Sequence, residues 1–177
     1  MNEKIDMLMK EKQVILFVVK PEDYMTFVES FTKEYLSNDI SCYVSLGRPF
    51  QSLQNTMNRM RIPTESIFFI DTSTKSTGAA EVDADNCLFI DSPSSLTRLS
   101  IAVTKVVEAS APKTILFDSL STLLIYNPEQ MIVKFTKDLI NMVRGTRSKL
   151  ILIALEGKEE ATLLEKTSLF VDSIQRI

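Results

Sequence analysis

Histidine is absent from all 177 residues. That excludes imidazole-based zinc and haem sites, and with them the Ser-His-Asp and Cys-His nucleophilic arrangements. Glycine is scarce as well: the chain has four, and none precedes Gly47. The two cysteines, Cys42 and Cys87, each sit inside an apolar run, where a free thiol behaves as a small hydrophobe. Cysteines so placed, in a chain that opens on no secretion signal, argue against a disulfide framework and for a reducing, cytoplasmic setting. No apolar run approaches the roughly 20 residues that cross a bilayer, so no membrane partner is expected. Net positive charge is lacking too. A formal charge of −3 and a pI near 5.1 give no electrostatic footprint for a nucleic acid. The short basic groupings Arg59–Arg61 and Arg144–Arg147–Lys149 read as solvated helix ends.

What is present is an alternation. Apolar, β-rich runs occupy Val14–Val19, Cys42–Leu46, Ile67–Ile70, Cys87–Ile90, Ile115–Phe117, Leu150–Leu155 and Phe170–Ile174. Most are continuous, as expected of strands covered on both faces of a parallel sheet. Between them, apolar residues recur at helical spacing and define four core-facing stripes. These are Tyr24, Phe27, Val28, Phe31 and Tyr35; Phe50, Leu53, Met57 and Met60; Leu96, Leu99, Val103 and Val106; and Met131, Phe135, Leu139 and Met142. Pro49, Ser92-Pro93 and Asn127-Pro128 mark helix starts, and Gly145 marks a stop. The expected fold is α/β: a doubly wound, mostly parallel sheet with helices on both faces, in one domain over residues 1–177. The polar stretch Thr72–Asn86 reads as a loop between two strands.

Ligands of such sheets bind beyond the carboxyl ends of the strands, and three runs end in aspartate: Asp71, Asp91 and Asp118. Aspartate is also a good residue for capping the helix that follows, and Asp71 and Asp91 read that way. Asp118 closes the run TILFDSLSTLLIY (Thr114–Tyr126), read as a buried strand that ends in Asp-Ser. This run resembles the Walker B segment of the RecA/KaiC-like ATPase superfamily, in which the carboxylate helps to hold Mg²⁺–nucleotide. YVSLGRP (Tyr43–Pro49) resembles the family's second core strand, Ile67–Asp71 its third, Ser148–Leu155 the strand after Walker B, and Leu169–Ile177 the short strand that follows. The phrase Asp-Ser-Leu-Ser-Thr-Leu-Leu and the Arg48-Pro49 pair look most like small archaeal members. The resemblance implies a RecA-like three-layer α/β/α core, with the Val14–Val19 strand beside Ile115–Phe117.

Two departures redirect the function. A phosphate-binding loop reads G-x-x-x-x-G-K-[ST], because glycines let the backbone aim consecutive N–H groups at phosphates. The matching place reads KPEDYMTF (Lys20–Phe27): Pro21 has no N–H, and Glu22 and Asp23 place negative charge where a phosphate would sit. The helix is expected to run from about Glu22 to Leu36, with Pro21 in its first turn and both carboxylates near its free N–H groups. The resemblance also implies acidic residues at the end of the second strand, where Gly47 and Arg48 stand, and a guanidinium is no base. The leading expectation is a catalytically inactive domain, not an enzyme, that works as a protein-interaction or regulatory module with a protein partner or a second copy. No cofactor, metal or ATP is assigned. The alternative is a non-hydrolysing nucleotide binder with a non-standard site made of Lys20, Arg48, Asp118 and Ser119. A methyltransferase-type enzyme is disfavoured by the missing glycine-rich loop, and a nucleic acid partner by charge.

Overall fold

A computed structural model of the chain describes residues 3–78 and 84–177. Seven strands form one parallel sheet: β1 (Val14–Val19), β2 (Ser41–Ser45), β3 (Ile67–Asp71), β4 (Cys87–Phe89), β5 (Thr114–Asp118), β6 (Lys149–Leu155) and β7 (Ser173–Arg176). Among the described residues eight α-helices accompany them: α1 (Glu3–Glu11), α2 (Tyr24–Phe31), α3 (Phe50–Arg59), α4 (Thr74–Thr77), α5 (Leu96–Ser110), α6 (Leu120–Tyr126), α7 (Glu129–Arg144) and α8 (Ala161–Ser168). A π-helical turn, Thr32–Leu36, extends α2.

Successive side chains of a strand point to opposite faces, and the core divides accordingly. Ile15, Phe17, Val19, Tyr43 and Leu116 pack under α1, α2 and α3. Val14, Leu16, Val18, Ile115 and Phe117 pack under α5, α6, α7 and α8. This is the expected doubly wound α/β arrangement in three layers. Among the described residues, no helix is long and apolar enough to cross a membrane.

The strand order is β4-β3-β2-β5-β6-β1-β7, which corrects one expectation. β1 does not lie beside β5: β6 stands between them and pairs with both. All six residues of β1 and the middle five of β6 are buried. A continuous apolar run has no polar edge to name its neighbour, so order is set by the connections, here α6 and α7 carrying the chain from β5 to β6.

Helix boundaries shift where turns intervene. Ser92-Pro93 does not start α5. Ser92–Ser95 forms a turn, with Ser95 N donating to Ser92 O at 3.0 Å, and the helix begins at Leu96. Pro128 stands at the start of α7 as expected, but the buried face runs through Ile132, Phe135, Leu139 and Val143 while Met131 is 54% exposed. β5 ends at Asp118 as expected, and Ser119 turns the chain into α6. Within Thr72–Asn86, α4 occupies Thr74–Thr77 and is closed by Gly78 at φ +69°, a left-handed conformation suited to glycine. The part of that expected loop over 79–83 lies outside the described residues.

Asp71 fixes the far side of the sheet's carboxyl end. Its fully buried carboxylate accepts four hydrogen bonds: from Phe50 N (2.6 Å), Ser73 N (2.6 Å), Thr74 N (2.9 Å) and Thr74 Oγ1 (2.5 Å). It thus binds the first turns of both α3 and α4, the capping role read from the sequence. Asp91, by contrast, is 52% exposed and pairs with Arg98 and Lys75. Asp71→Ala is expected to lower stability by about 3 kcal/mol, because several buried donors lose their acceptor, whereas Asp91→Ala should change it by less than about 0.5 kcal/mol. Urea denaturation of the two variants measures the difference, and equal losses would refute the assignment.

Candidate functional site

β2 and β5 are neighbours, yet the chain leaves them for opposite faces, to α3 from one and to α6 from the other. Such a divergence opens a crevice at the strands' carboxyl ends. The register sets Ser45 opposite Asp118, and Leu46 N donates to Asp118 O at 2.9 Å. Asp118 therefore ends β5 on the face covered by α2 and α3, with Tyr43 on the same face two residues before Ser45. The Asp118–Ser119 peptide is cis.

The Asp118 carboxylate is 2% exposed, and burying a charge costs several kcal/mol unless partners compensate. Three side chains do so. Tyr24, the first residue of α2, donates its phenol to Oδ1 at 2.5 Å. Tyr43 donates to Oδ2. Arg48 donates from one Nη to the Tyr43 oxygen at 2.7 Å and lies 3.4 Å from Oδ2. Tyr43 is the bridge: it accepts from the guanidinium and donates to the carboxylate. Ser45 Oγ donates to Arg48 O at 2.6 Å and holds the loop that carries the arginine. Among the described residues, Arg48 Nε is buried without a hydrogen-bond partner.

Electrostatics follow from this geometry. Burial raises the Tyr24 phenol far above the usual tyrosine range, and the charge and hydrogen bond of Asp118 add to it. Tyr43 is raised by the same causes in a fully buried position. Burial opposes the Arg48 charge, but Tyr43 and Asp118 outweigh it and keep the guanidinium protonated. The cluster thus holds one anion, one cation and two neutral phenols fixed as donors. Both phenols are thereby held as hydrogen-bond donors to the carboxylate.

Of the four candidate residues, the structure brings Arg48 and Asp118 together. Ser119 lies next to them but shares its hydrogen bond with Thr122 Oγ1 at 3.1 Å. Lys20 is exposed and forms no hydrogen bond or ion pair with the cluster. The chain turns tightly after β1: Asp23 N donates to Lys20 O at 3.0 Å, with Pro21 at the position of a β-turn that favours proline. The helix begins at Tyr24 rather than Glu22, and the Asp23 side chain makes no capping hydrogen bond. This corrects the expected carboxylate caps: the short turn is present, but Glu22 and Asp23 are exposed.

Tyr24 and Tyr43 are the residues that the sequence pattern concealed, since each falls on an apolar stripe or run. A signal did exist. A tyrosine inside a buried strand needs a partner for its hydroxyl, and a buried strand-end aspartate needs donors.

Because both phenols keep their protons in the folded state beyond the usual pKa near 10, unfolding releases protons above that pH. Their contribution is complete below about pH 10 and is lost as pH rises, by up to about 1.4 kcal/mol per pH unit per tyrosine. Tyr24→Phe should therefore flatten the alkaline loss by about one tyrosine's share, while costing roughly 1–3 kcal/mol at pH 8, where Oδ1 loses its donor. Urea unfolding at a series of pH values tests both, and parallel curves for wild type and variant would contradict the Tyr24–Asp118 bond.

Solved structures of the same architecture exist. A KaiC-like protein from the hyperthermophilic archaeon Pyrococcus horikoshii OT3 superposes with a TM-score of 0.64 at 14% identity, over 93% of this chain and 70% of that one. An uncharacterized protein from Pyrococcus horikoshii, crystallised in complex with an unknown peptide, superposes with a TM-score of 0.70 at 12% identity, over 98% and 82%. At these identities the likeness is one of fold, and the fold is the RecA/KaiC-like one that the Walker B resemblance implied. No curated protein matches the chain. Tyr24, Tyr43 and Arg48 precede the segment that matches a family model, whereas Asp71 and Asp118 lie inside it. That model, of the family of unknown function DUF7504, covers residues 51–170, and the chain belongs to this family.

Proposed function

We propose that this chain is a non-hydrolysing member of the RecA/KaiC-like fold that acts in the cytoplasm as a protein-interaction or regulatory module. The observation that carries the reading is the occupation of Asp118. Both carboxylate oxygens are taken by Tyr24 and Tyr43, and Arg48 is paired beside them. A magnesium ion at Asp118 would meet a carboxylate already bonded by two phenols, with the Arg48 charge 3.4 Å away to repel it. That arrangement supports a site whose charge is balanced from within the protein rather than by Mg²⁺–nucleotide.

Two further features support the proposal. The turn from β1 into α2 is a four-residue β-turn containing Pro21, without the wide glycine loop that presents N–H groups to phosphates. Arg48 stands where the resemblance implies an acidic residue, and it supplies charge for Asp118 rather than a base for water. The interaction role draws on the fold neighbour crystallised with an unknown peptide, which matches 98% of this chain.

Purified protein should release no phosphate from Mg-ATP above the buffer rate, and millimolar Mg-ATP should leave its thermal midpoint unchanged. A ligand at 100 times its Kd would stabilise the fold by about 2.7 kcal/mol, which such a scan resolves. Turnover that survives repurification and disappears in Asp118→Asn would overturn the reading. A midpoint rise with Mg-ATP that Lys20→Ala abolishes would replace it with the nucleotide-binding alternative.

A further inference from the structure

Arg48 carries more donors than its surroundings use. A guanidinium has five N–H groups in a fixed fork. One Nη serves the Tyr43 oxygen at 2.7 Å and lies 3.4 Å from Asp118 Oδ2. Nε is buried with no acceptor among the described residues. The other Nη donates to the sulfur of Met25, 3.7 Å away, and a thioether is a weak acceptor. The arginine side chain is only 19% exposed, so solvent supplies little of what is missing. Donors left short of acceptors in such a place are destabilising.

Met25 is the second residue of α2, next to Tyr24, and is 42% exposed. Met7 and Met131 are exposed to a similar degree, at 50% and 54%. Among the described residues, however, only the Met25 sulfur accepts an N–H. An exposed thioether is open to attack by peroxides. The two thiols compete poorly, because the thiolate is the reactive form and burial pushes both Cys42 and Cys87 up.

We infer that Met25 is a site of reversible oxidation by hydrogen peroxide or an organic hydroperoxide, and that Arg48 holds the sulfoxide oxygen and so locks the crevice around Asp118. In the oxidation a sulfur lone pair attacks the terminal peroxide oxygen and the O–O bond breaks. The proton on the attacked oxygen passes to the departing one, which leaves as water or as an alcohol. Sulfur loses two electrons and the peroxide gains them. A dithiol reductant reverses the change: it carries the oxygen away as water and ends as a disulfide.

The sulfoxide oxygen is a strong acceptor where the thioether was a weak one. A hydrogen bond to a charged donor is about twice as strong as one between neutral groups. Three rotatable bonds let the Met25 side chain turn its oxygen toward the guanidinium. The donors waiting there are the ones not committed to Tyr43 or Asp118, so the new bond adds to the cluster without competing with it. It ties the first turn of α2 to the loop after β2, the elements that bring Tyr24 and Arg48 to Asp118. Oxidation of an ordinary methionine loosens a fold by making an apolar side chain polar. At Met25 the sign is reversed. The inference rests on the internal charge balance at Asp118 proposed above, but the Mg-ATP assays that test that reading do not involve Met25, so either can fail alone.

Peroxide treatment of the purified protein, followed by peptide mapping and thermal scans, tests the inference. Wild type and Met25→Leu are oxidised alike, so that Met7 and Met131 take up oxygen in both. The change in thermal midpoint should then be more positive in wild type than in Met25→Leu by about 3–6 °C, the shift that a hydrogen bond to a charged group produces in a chain of this size. A methionine sulfoxide reductase with dithiothreitol should remove the difference. Met25→Gln, whose amide oxygen stands in for the sulfoxide, should melt above Met25→Leu before any peroxide is added. A Met25 that stays reduced while Met7 and Met131 are fully oxidised would overturn the inference. So would an oxidised wild type that gains nothing over oxidised Met25→Leu.

Discussion

A carboxylate at the end of a fully buried strand must be compensated, and at Asp118 the compensation organises the crevice around it. Desolvation of a single ion costs several kcal/mol even after relaxation, a large fraction of the 5–15 kcal/mol by which a domain is stable. The donors come from three separate places: Tyr24 at the start of α2, Tyr43 inside β2, and Arg48 on the loop after β2. Each bond constrains its own element. Tyr24 sets where α2 begins relative to β5, Arg48 sets the path of the chain from β2 into α3, and Tyr43 joins the two charges. Removal of any one leaves the others with unmatched polarity around a carboxylate that is 2% exposed.

The two buried strand-end aspartates solve the same problem by different means. Asp71 is satisfied mainly by backbone N–H groups and a threonine hydroxyl, all local to α3 and α4. That solution is architectural, since it caps two helices and brings in no charged partner. Asp118 is satisfied by side chains from distant parts of the sequence, 94, 75 and 70 residues away. Side chains can be exchanged one at a time without rebuilding the backbone. A buried aspartate held by phenols and a guanidinium is thus a way to keep a charged residue at the end of an apolar strand.

Much of this was legible in the sequence, for reasons that differ by residue. The strands announce themselves because burial on both faces demands continuous apolar runs, as in VILFVV and LILIAL. Asp118 stands out because an acid at the end of such a run is expensive, and Arg48 because it occupies a strand end. The order of β1, β6 and β5 was not legible, since uniformly apolar strands do not identify their neighbours. Tyr24 and Tyr43 were hidden by their dual nature: periodicity registers the ring, whereas the site uses the hydroxyl. α1, α6 and α8 escaped for a related reason. They are short, and α6 follows so closely on β5 that only Ser119 separates the two. Lys20 stands apart from the Asp118 cluster because proximity in sequence to a strand end does not aim a side chain, and the turn through Pro21 carries the chain from Lys20 directly into α2.

A parallel sheet has two kinds of place where recognition is inexpensive: the crevice at its carboxyl ends and its unpaired edges. In the crevice, polar groups are preoriented, and here those of Asp118, Tyr24 and Tyr43 are bonded to one another in low dielectric. At the β7 edge the backbone still has hydrogen-bonding capacity, and a cleft flanks it on each face. Association there forms new hydrogen bonds and buries apolar surface without dismantling existing ones.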